Sequence, residues 1–314
     1  MSKNVLVAMM ISLALVAGCS DDDNPTAAAA VGATVVVSVE PFPDDSPLPF
    51  TLKPLVKQIP TGTAAGAVVT MDNQASTLPT GTATITGTTL RLTFTGLEPL
   101  LNGYYYEGWA IIGSPAPTGH FNVNSSGQLI THPEGVVLPN GDFQTGIANL
   151  ASATDIVITV EPINDPDPAP AATHILAGSV LNLAANLSVT HAAALGNSFT
   201  AATGKFILAA PTTTATTDDK SGVWFLDASS GTAVAGLSLP TLPTGWKYEG
   251  WVVIKNSSGV DTPFTTGTFT SALAADSNAS APPYSPAGGP PFPGEDFLQN
   301  APAGFTFPTN LAGS

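Results

Sequence analysis

Apolar and polar residues alternate along much of this chain. From Leu90 to Thr95, Leu90, Leu92 and Phe94 fall on one face of an extended strand, and Arg91, Thr93 and Thr95 on the other. A period of two is the pattern of an antiparallel strand with one side buried. The runs Val35 to Val39 and Ile156 to Val160 are rich in β-branched residues and end at Pro41 and Pro162, as strands do. Thr82 to Ile85, Lys205 to Ala209 and Val223 to Leu226 read as further strands, and Tyr104 to Ile112 and Trp246 to Ile254 as the richest. Helical periodicity is weak. Only Leu181 to Ala194 suggests a short helix, and Asn186, Val189 and Thr190 within it weigh against one. The pattern predicts an all-β chain of short strands joined by turns.

The pattern is also duplicated. Leu97-x-x-Leu100-x-x-Gly103-x-x-Tyr106-Glu107-Gly108-Trp109 returns as Leu239-x-x-Leu242-x-x-Gly245-x-x-Tyr248-Glu249-Gly250-Trp251, at an offset of 142. Val35-Val36-Val37-Ser38-Val39-Glu40-Pro41 returns as Ile156-Val157-Ile158-Thr159-Val160-Glu161-Pro162. Thr118-Gly119-His120-Phe121 matches Thr266-Gly267-Thr268-Phe269, and Pro139-x-x-Asp142-Phe143 matches Pro293-x-x-Asp296-Phe297. The offset grows along the chain, which places insertions in the loops of the second copy. Two domains follow, 33–153 and 154–314. Two copies are too few for a solenoid. Sequential strands usually pair locally, so each Val-Glu-Pro strand is expected to open the sheet of its own copy. In the competing arrangement, Val35 to Val39 closes the sheet of the second domain.

The start of the chain differs in kind. Lys3 precedes an apolar run from Val5 to Val16, the length of a signal-peptide core and too short to span a bilayer. It leads into Val16-Ala17-Gly18-Cys19, which resembles a bacterial lipobox cleaved before a lipidated cysteine. Cys19 is the single cysteine of the chain, so no disulfide framework is possible. The expectation is a signal peptide over 1–18 and a lipid anchor at Cys19, followed by a flexible tether to residue 32. Stable anchoring takes more than one acyl chain, and bacterial lipoproteins usually carry three. Ser20 after the cysteine resembles outer-membrane sorting. The Asp21-Asp22-Asp23 run resembles the acidic export tag of some surface lipoproteins. The implied location is the outer membrane, facing periplasm or surface. No other apolar stretch is long enough for a transmembrane helix.

Composition narrows the partners. Acids outnumber bases 23 to 8, and Arg91 is the sole arginine. That argues against nucleic acid, which needs clustered Lys and Arg, and against an adsorbing polybasic membrane patch. Apolar residues make up 43% of the chain, more than a disordered chain carries.

The candidate site residues are Tyr106, Glu107 and Trp109 with their repeats Tyr248, Glu249 and Trp251. Alternation puts Tyr106, Gly108 and Ala110 on one face of their strand, and Tyr105, Glu107 and Trp109 on the other. The favoured reading is structural: large rings in or near a core, whose polar tips seek a partner. The alternative is an exposed aromatic platform with an acid, which would bind a sugar or peptide. Glu40, Asp44 and Asp45 recur as Glu161, Asp165 and Asp167 in what read as proline-rich loops, and Glu295-Asp296 lies near the counterpart of Asp142. Loop oxygens suit Ca²⁺, but without an Asp-x-Asp-x-Asp-Gly loop the favoured reading is solvated turns. His120, His132, His174 and His191 form no zinc-ligand spacing. No Gly-x-Ser-x-Gly elbow occurs. A paired-carboxylate hydrolase depends on three-dimensional spacing, and is the third reading after a binding or scaffolding module and a glycan or peptide binder. No catalytic residue, metal or cofactor is expected.

The series Leu97, Leu100, Gly103, Tyr106, Trp109, Ile111, Gly119 and Phe121 resembles the extracytoplasmic domain of anti-sigma-K factors of the RskA type. The second copy carries the same series at Leu239, Leu242, Gly245, Tyr248, Trp251, Val253, Gly267 and Phe269. The resemblance implies a β-sandwich outside the membrane in each copy. That family regulates through a cytoplasmic sigma-binding segment joined by a transmembrane helix. Here the lipobox stands in their place, so direct sigma-factor binding is not expected.

Overall fold

The computed structural model describes residues 32–42, 52–74, 78–100, 103–163, 167–256 and 258–313. Cys19, the tether, Asp44, Asp45 and Asp165 lie outside them. Among the described residues twenty strands follow one another. The first three are β1 (Thr34–Pro41), β2 (Leu52–Gln58) and β3 (Val68–Asn73). Nine more run from β4 (Thr80–Thr86) through β5 (Thr89–Thr95), β6 (Tyr104–Ile112), β7 (Ser114–Val123), β8 (Leu129–Thr131), β9 (Asp142–Gln144), β10 (Asp155–Pro162) and β11 (His174–Ser179) to β12 (Ala184–Ser188). The last eight are β13 (Thr203–Leu208), β14 (Gly222–Trp224), β15 (Leu226–Asp227), β16 (Val234–Ala235), β17 (Leu237–Ser238), β18 (Trp246–Lys255), β19 (Asp261–Phe269) and β20 (Gly294–Asp296). The fold is all-β, with two curled antiparallel sheets. No helix among the described residues is long and apolar enough to cross a membrane.

One sheet has the order β8-β7-β6-β10-β11-β12-β4-β5-β9, and the other β19-β18-β1-β2-β3-β13-β14-β20 with β17 beside β13. The two orders superimpose: β7 on β19, β6 on β18, β10 on β1, β11 on β2, β12 on β3, β4 on β13, β5 on β14 and β9 on β20. The duplication is therefore carried into topology. The inner unit, Thr80 to Ser188, is continuous in sequence. The outer unit is assembled from both ends of the chain around it.

This pairing corrects the expectation that each Val-Glu-Pro strand opens the sheet of its own copy. Strand β10 lies on β6 of the first copy, with Ile158 opposite Gly108. Strand β1 lies on β18 of the second, with Val37 opposite Gly250. Loop length does not dictate the choice, because closure cost grows only slowly with length. Strand β10 begins 43 residues after β6 ends, whereas β1 ends 63 residues before β6 begins. The outer unit takes β1 as the neighbour of β18. The chain end seals that seat, where Ala33 N donates to Leu311 O at 2.8 Å and Gly62 N to Ala312 O at 3.2 Å.

Alternation holds where it was clearest. Leu90 and Leu92 are fully buried, and Arg91, Thr93 and Thr95 are exposed. The central strands depart from it. Val35, Val37 and Val39 face the core, yet Val36, Ser38 and Glu40 on the opposite face are buried too. In the inner unit that second face is covered in part by Ala193 and Ala194, which pack with Trp109, Val157 and Ala177. No helix forms over 181–194. Asn182 and Leu183 take left-handed φ of 51° and 61°, which makes a tight turn into β12.

Candidate functional site

The doubled motif builds the same arrangement twice. Tyr106 Oη donates to the Glu98 carbonyl at 2.8 Å, and Tyr248 Oη to the Pro240 carbonyl at 2.6 Å, each eight residues upstream. The Leu-x-x-Leu approach thus serves the tyrosine. Leu97 and Leu100 are buried and Leu239 and Leu242 pack on the core, so the carbonyl is held over the ring. Burial pushes both phenols above their ordinary pKa. Each ring also stacks on the phenylalanine of Thr-Gly-x-Phe, with centroids 5.5 Å apart for Tyr106–Phe121 and 5.7 Å for Tyr248–Phe269.

Thr-Gly-x-Phe is a bulge. The register slips between Gly108 and Trp109 opposite β7, and between Gly250 and Trp251 opposite β19. The extra residues are Thr118 and Thr266. Gly119 and Gly267 absorb the bend at φ of 139° and 106°, where a side chain would be strained. Each threonine hydroxyl settles against Gly108 or Gly250, in the volume a Cβ would need. The glycine of Tyr-Glu-Gly-Trp is there because the bulge fills its side-chain space.

On the opposite face each tryptophan ends a hydrogen-bond relay. Trp109 Nε1 donates to Thr159 Oγ1 at 2.9 Å, and Thr159 donates to Glu161. Trp251 Nε1 donates to Ser38 Oγ at 2.9 Å, and Ser38 donates to Glu40. Glu40 and Glu161 therefore sit in strands as buried relay ends; the expected solvated loop carboxylates do not occur at these two positions. Glu161 also accepts the Ala171 amide at 2.9 Å. Glu40 Oε2 has no such partner. Sequence reasoning paired these acids with the wrong neighbours. The available signal was Ser38-x-Glu40 and Thr159-x-Glu161, a hydroxyl and an acid on one face of a strand.

The second acids complete the cluster. His120 Nε2 lies 3.1 Å from Glu107 Oε1, and Thr265 Oγ1 donates to Glu249 Oε1 at 2.5 Å. Burial raises Glu40 well above the usual carboxylate range, reinforced by Glu249 and opposed by Ser38 and Trp251. Burial pushes Glu249 up to about 7, against the lowering effect of Thr265. Each unit thus holds two carboxylates under its central strand pair, and none of the four is more than 7% exposed.

The aromatic faces differ between the units. Trp109 is 3% exposed, and Trp251 is half-buried. Tyr105 lies between a tilted His120 ring at 4.4 Å and a stacked His132 ring at 5.0 Å, whereas its counterpart Lys247 lies over the Phe42 ring at 4.4 Å. Clefts of about 430 and 330 Å³ are lined by neither the tryptophans nor the four glutamates. The other expected acids are also built into the fold. Asp142 holds Arg91 in a two-pronged pair at 2.7 and 3.0 Å. Asp296 accepts from Trp224 Nε1 at 2.6 Å and Thr212 N at 3.0 Å, Glu295 accepts from Ser285 at 2.7 Å, and Asp167 caps the Ala169 amide at 3.0 Å. Among the described residues no group of three or more His, Cys, Asp or Glu is placed to hold a metal ion.

No protein-family model, curated protein or solved structure matches this chain.

Proposed function

We propose that this chain is a non-catalytic lipoprotein of the bacterial cell envelope, anchored at Cys19 and acting as a binding, scaffolding or sensor-like module. The observation that carries the reading is the fate of the doubled motif. Its tyrosine hydroxyls bond upstream carbonyls, its indole N–H groups bond Ser38 and Thr159, and its carboxylates lie buried beneath the sheet. A motif repeated for catalysis would keep a reactive atom in a cleft. The resemblance to the extracytoplasmic domain of anti-sigma factors supports an envelope setting. The lipobox supports the lipid anchor, and Ser20 after Cys19 supports the outer membrane, with the module facing periplasm or surface. Expression in a bacterial host with radiolabelled palmitate tests the anchor. The wild type is expected to take up label and sediment with membranes, and Cys19→Ala to do neither; label retained by Cys19→Ala refutes it.

A second reading has one specific support. Trp251 is half-buried where Trp109 is buried, so the outer unit is the one that could present an aromatic surface to a glycan or peptide. Trp251→Ala should then weaken binding on a glycan array, while an unchanged profile removes this reading.

A further inference from the structure

The duplication places an aspartate at the same point of both sheets, and only one of the two faces a basic side chain. In the inner unit Asp142 of β9 lies opposite Arg91 of β5, whose guanidinium holds it at 2.7 and 3.0 Å. In the outer unit Asp296 of β20 lies opposite Gly222 of β14. A Cβ at Gly222 would stand 2.1 Å from Asp296 Oδ1 and 2.2 Å from the Ala209 carbonyl oxygen. No side chain, basic or otherwise, fits where Arg91 sits in the inner unit. We propose that the outer unit takes its cation from solution, as a calcium ion held between Asp218 and Asp296.

Asp218 supplies an unanswered oxygen. The residue is 9% exposed, and its Oδ1 is buried with no hydrogen-bond partner. Leaving a buried carboxylate oxygen unmet is costly. Its position aims it at Asp296. Asp218 belongs to the connection between β13 and β14, which is tied to β20 on either side of it. Thr212 N and Oγ1 donate to Asp296 Oδ2 at 3.0 and 2.5 Å, and Phe297 N donates to the Ser221 carbonyl at 2.7 Å. Burial raises the Asp296 carboxyl, bonds from Thr212 and Trp224 lower it, and the charge of Asp218 raises it again, so the two carboxylates are within electrostatic reach. Asp276 and Glu295 extend the cluster at 8% and 2% exposure. Among the described residues none of the four acids is ion-paired with a Lys, Arg or His. Buried carboxylates without a counter-charge either keep a proton or gather a cation.

The donors select the ion. The four histidines lie between residues 120 and 191 and the single cysteine is Cys19, so only oxygens are on hand, which suits a hard cation. Ca²⁺ takes roughly six to eight oxygens in adaptable geometry, whereas Mg²⁺ demands a near-ideal octahedron. An irregular connection with carboxylate, hydroxyl and carbonyl oxygens fits the first. No third acid is needed, because Thr212 Oγ1, backbone carbonyls and water complete such a shell. Two anionic ligands place the affinity at the weak end of the range, about 0.1–1 mM.

The test uses the full-length chain, stripped with a chelator and titrated with calcium chloride or magnesium chloride while thermal unfolding is followed. In parallel Tb³⁺ serves as a luminescent stand-in for Ca²⁺, excited through Trp224, whose Nε1 lies 2.6 Å from Asp296 Oδ1. The wild type should gain Tm with a midpoint at about 0.1–1 mM Ca²⁺, respond less to Mg²⁺, and give Tb³⁺ emission that excess Ca²⁺ displaces. Asp218→Asn keeps the shape and removes the charge. It should bind Ca²⁺ at least about tenfold more weakly, since losing even an outer partner of a metal costs that much. In chelator it should unfold no earlier than the wild type, because an unpaired buried charge has gone. Asp142→Asn, at the matching point of the inner unit, should leave the Ca²⁺ midpoint in place. A wild type with neither a Tm response nor displaceable emission overturns the proposal, and so does a midpoint that Asp218→Asn does not move. An equal response to Mg²⁺ overturns it in favour of general charge screening. The wild-type titrations need no variant, so a folding defect in Asp218→Asn does not shield the proposal.

Discussion

Gly108 and Gly250 offer the sharpest test of how the doubled motif works. Neither has a left-handed backbone, so alanine at either position meets only its neighbours. A methyl at Gly108 would overlap Thr118 Oγ1, with the next atom, Leu92 Cδ1, at an ordinary 3.7 Å. A methyl at Gly250 would overlap Thr266 Oγ1 and also lie 2.5 Å from Cε2 of the fully buried Phe225. Replacing glycine by alanine gains about 0.4–1 kcal/mol by restricting the unfolded chain, and overpacking costs about 1–3 kcal/mol. Gly108→Ala should therefore lose about 1 kcal/mol and Gly250→Ala about 2 kcal/mol or more. Thr118→Ala removes both the clash and a buried hydroxyl without a partner. Combined with Gly108→Ala it should show a favourable coupling of about 1–2 kcal/mol. Thr266→Ala should relieve Gly250→Ala only in part, because Phe225 remains. Urea unfolding of the four variants and the two doubles measures all of this. Additive losses, or full rescue at Gly250, would refute the bulge as the reason for the glycine.

The remaining expectations concern the buried acids and the relay. Burial pushes Glu249 and Glu295 up to about 7, so the folded state holds protons that the unfolded chain releases near 4.5. That penalty is absent below the unfolded value, grows as pH rises, and is complete above about 7, at up to about 3 kcal/mol for each group. Stability in urea should accordingly fall from pH 5 to pH 8, and Glu249→Gln should flatten the slope; a slope unchanged by that substitution would exclude Glu249 as its source. Thr159→Val strands the Trp109 N–H and one contact of Glu161, and should cost about 2–3 kcal/mol, read from Trp fluorescence during unfolding. A loss under about 0.5 kcal/mol would show that the relay adds little.

Much of the strand layout was legible because alternation is a local property. Leu90, Leu92, Arg91 and Thr93 face as their order dictates, and the Tyr104–Ile112 strand has the expected bounds. The repeat was legible because its residues cannot be exchanged freely: Tyr106 needs a ring and a hydroxyl, Gly108 needs no side chain. Strand pairing was not legible. Strands β1 and β10 present the same faces, so nothing in their pattern says which sheet each joins; the seal of Leu311 on Ala33 accompanies the pairing of β1 with β18. Trp109 is buried, as the favoured reading had it, but what buries it was not legible, because Ala193 and Ala194 arrive from 84 residues or more away to cover it. The pairing of hydroxyl and acid along Ser38-x-Glu40 was visible in sequence, and only the partner strand gave it the role of receiving an indole N–H.

The central claim is that the first Val-Glu-Pro strand completes the second copy's sheet. Nuclear Overhauser contacts in the monomer measure it directly. Val37 should show cross-strand contacts with Gly250, and Ile158 with Gly108. Contacts of Val37 with Gly108 instead would return each strand to its own repeat and contradict the account.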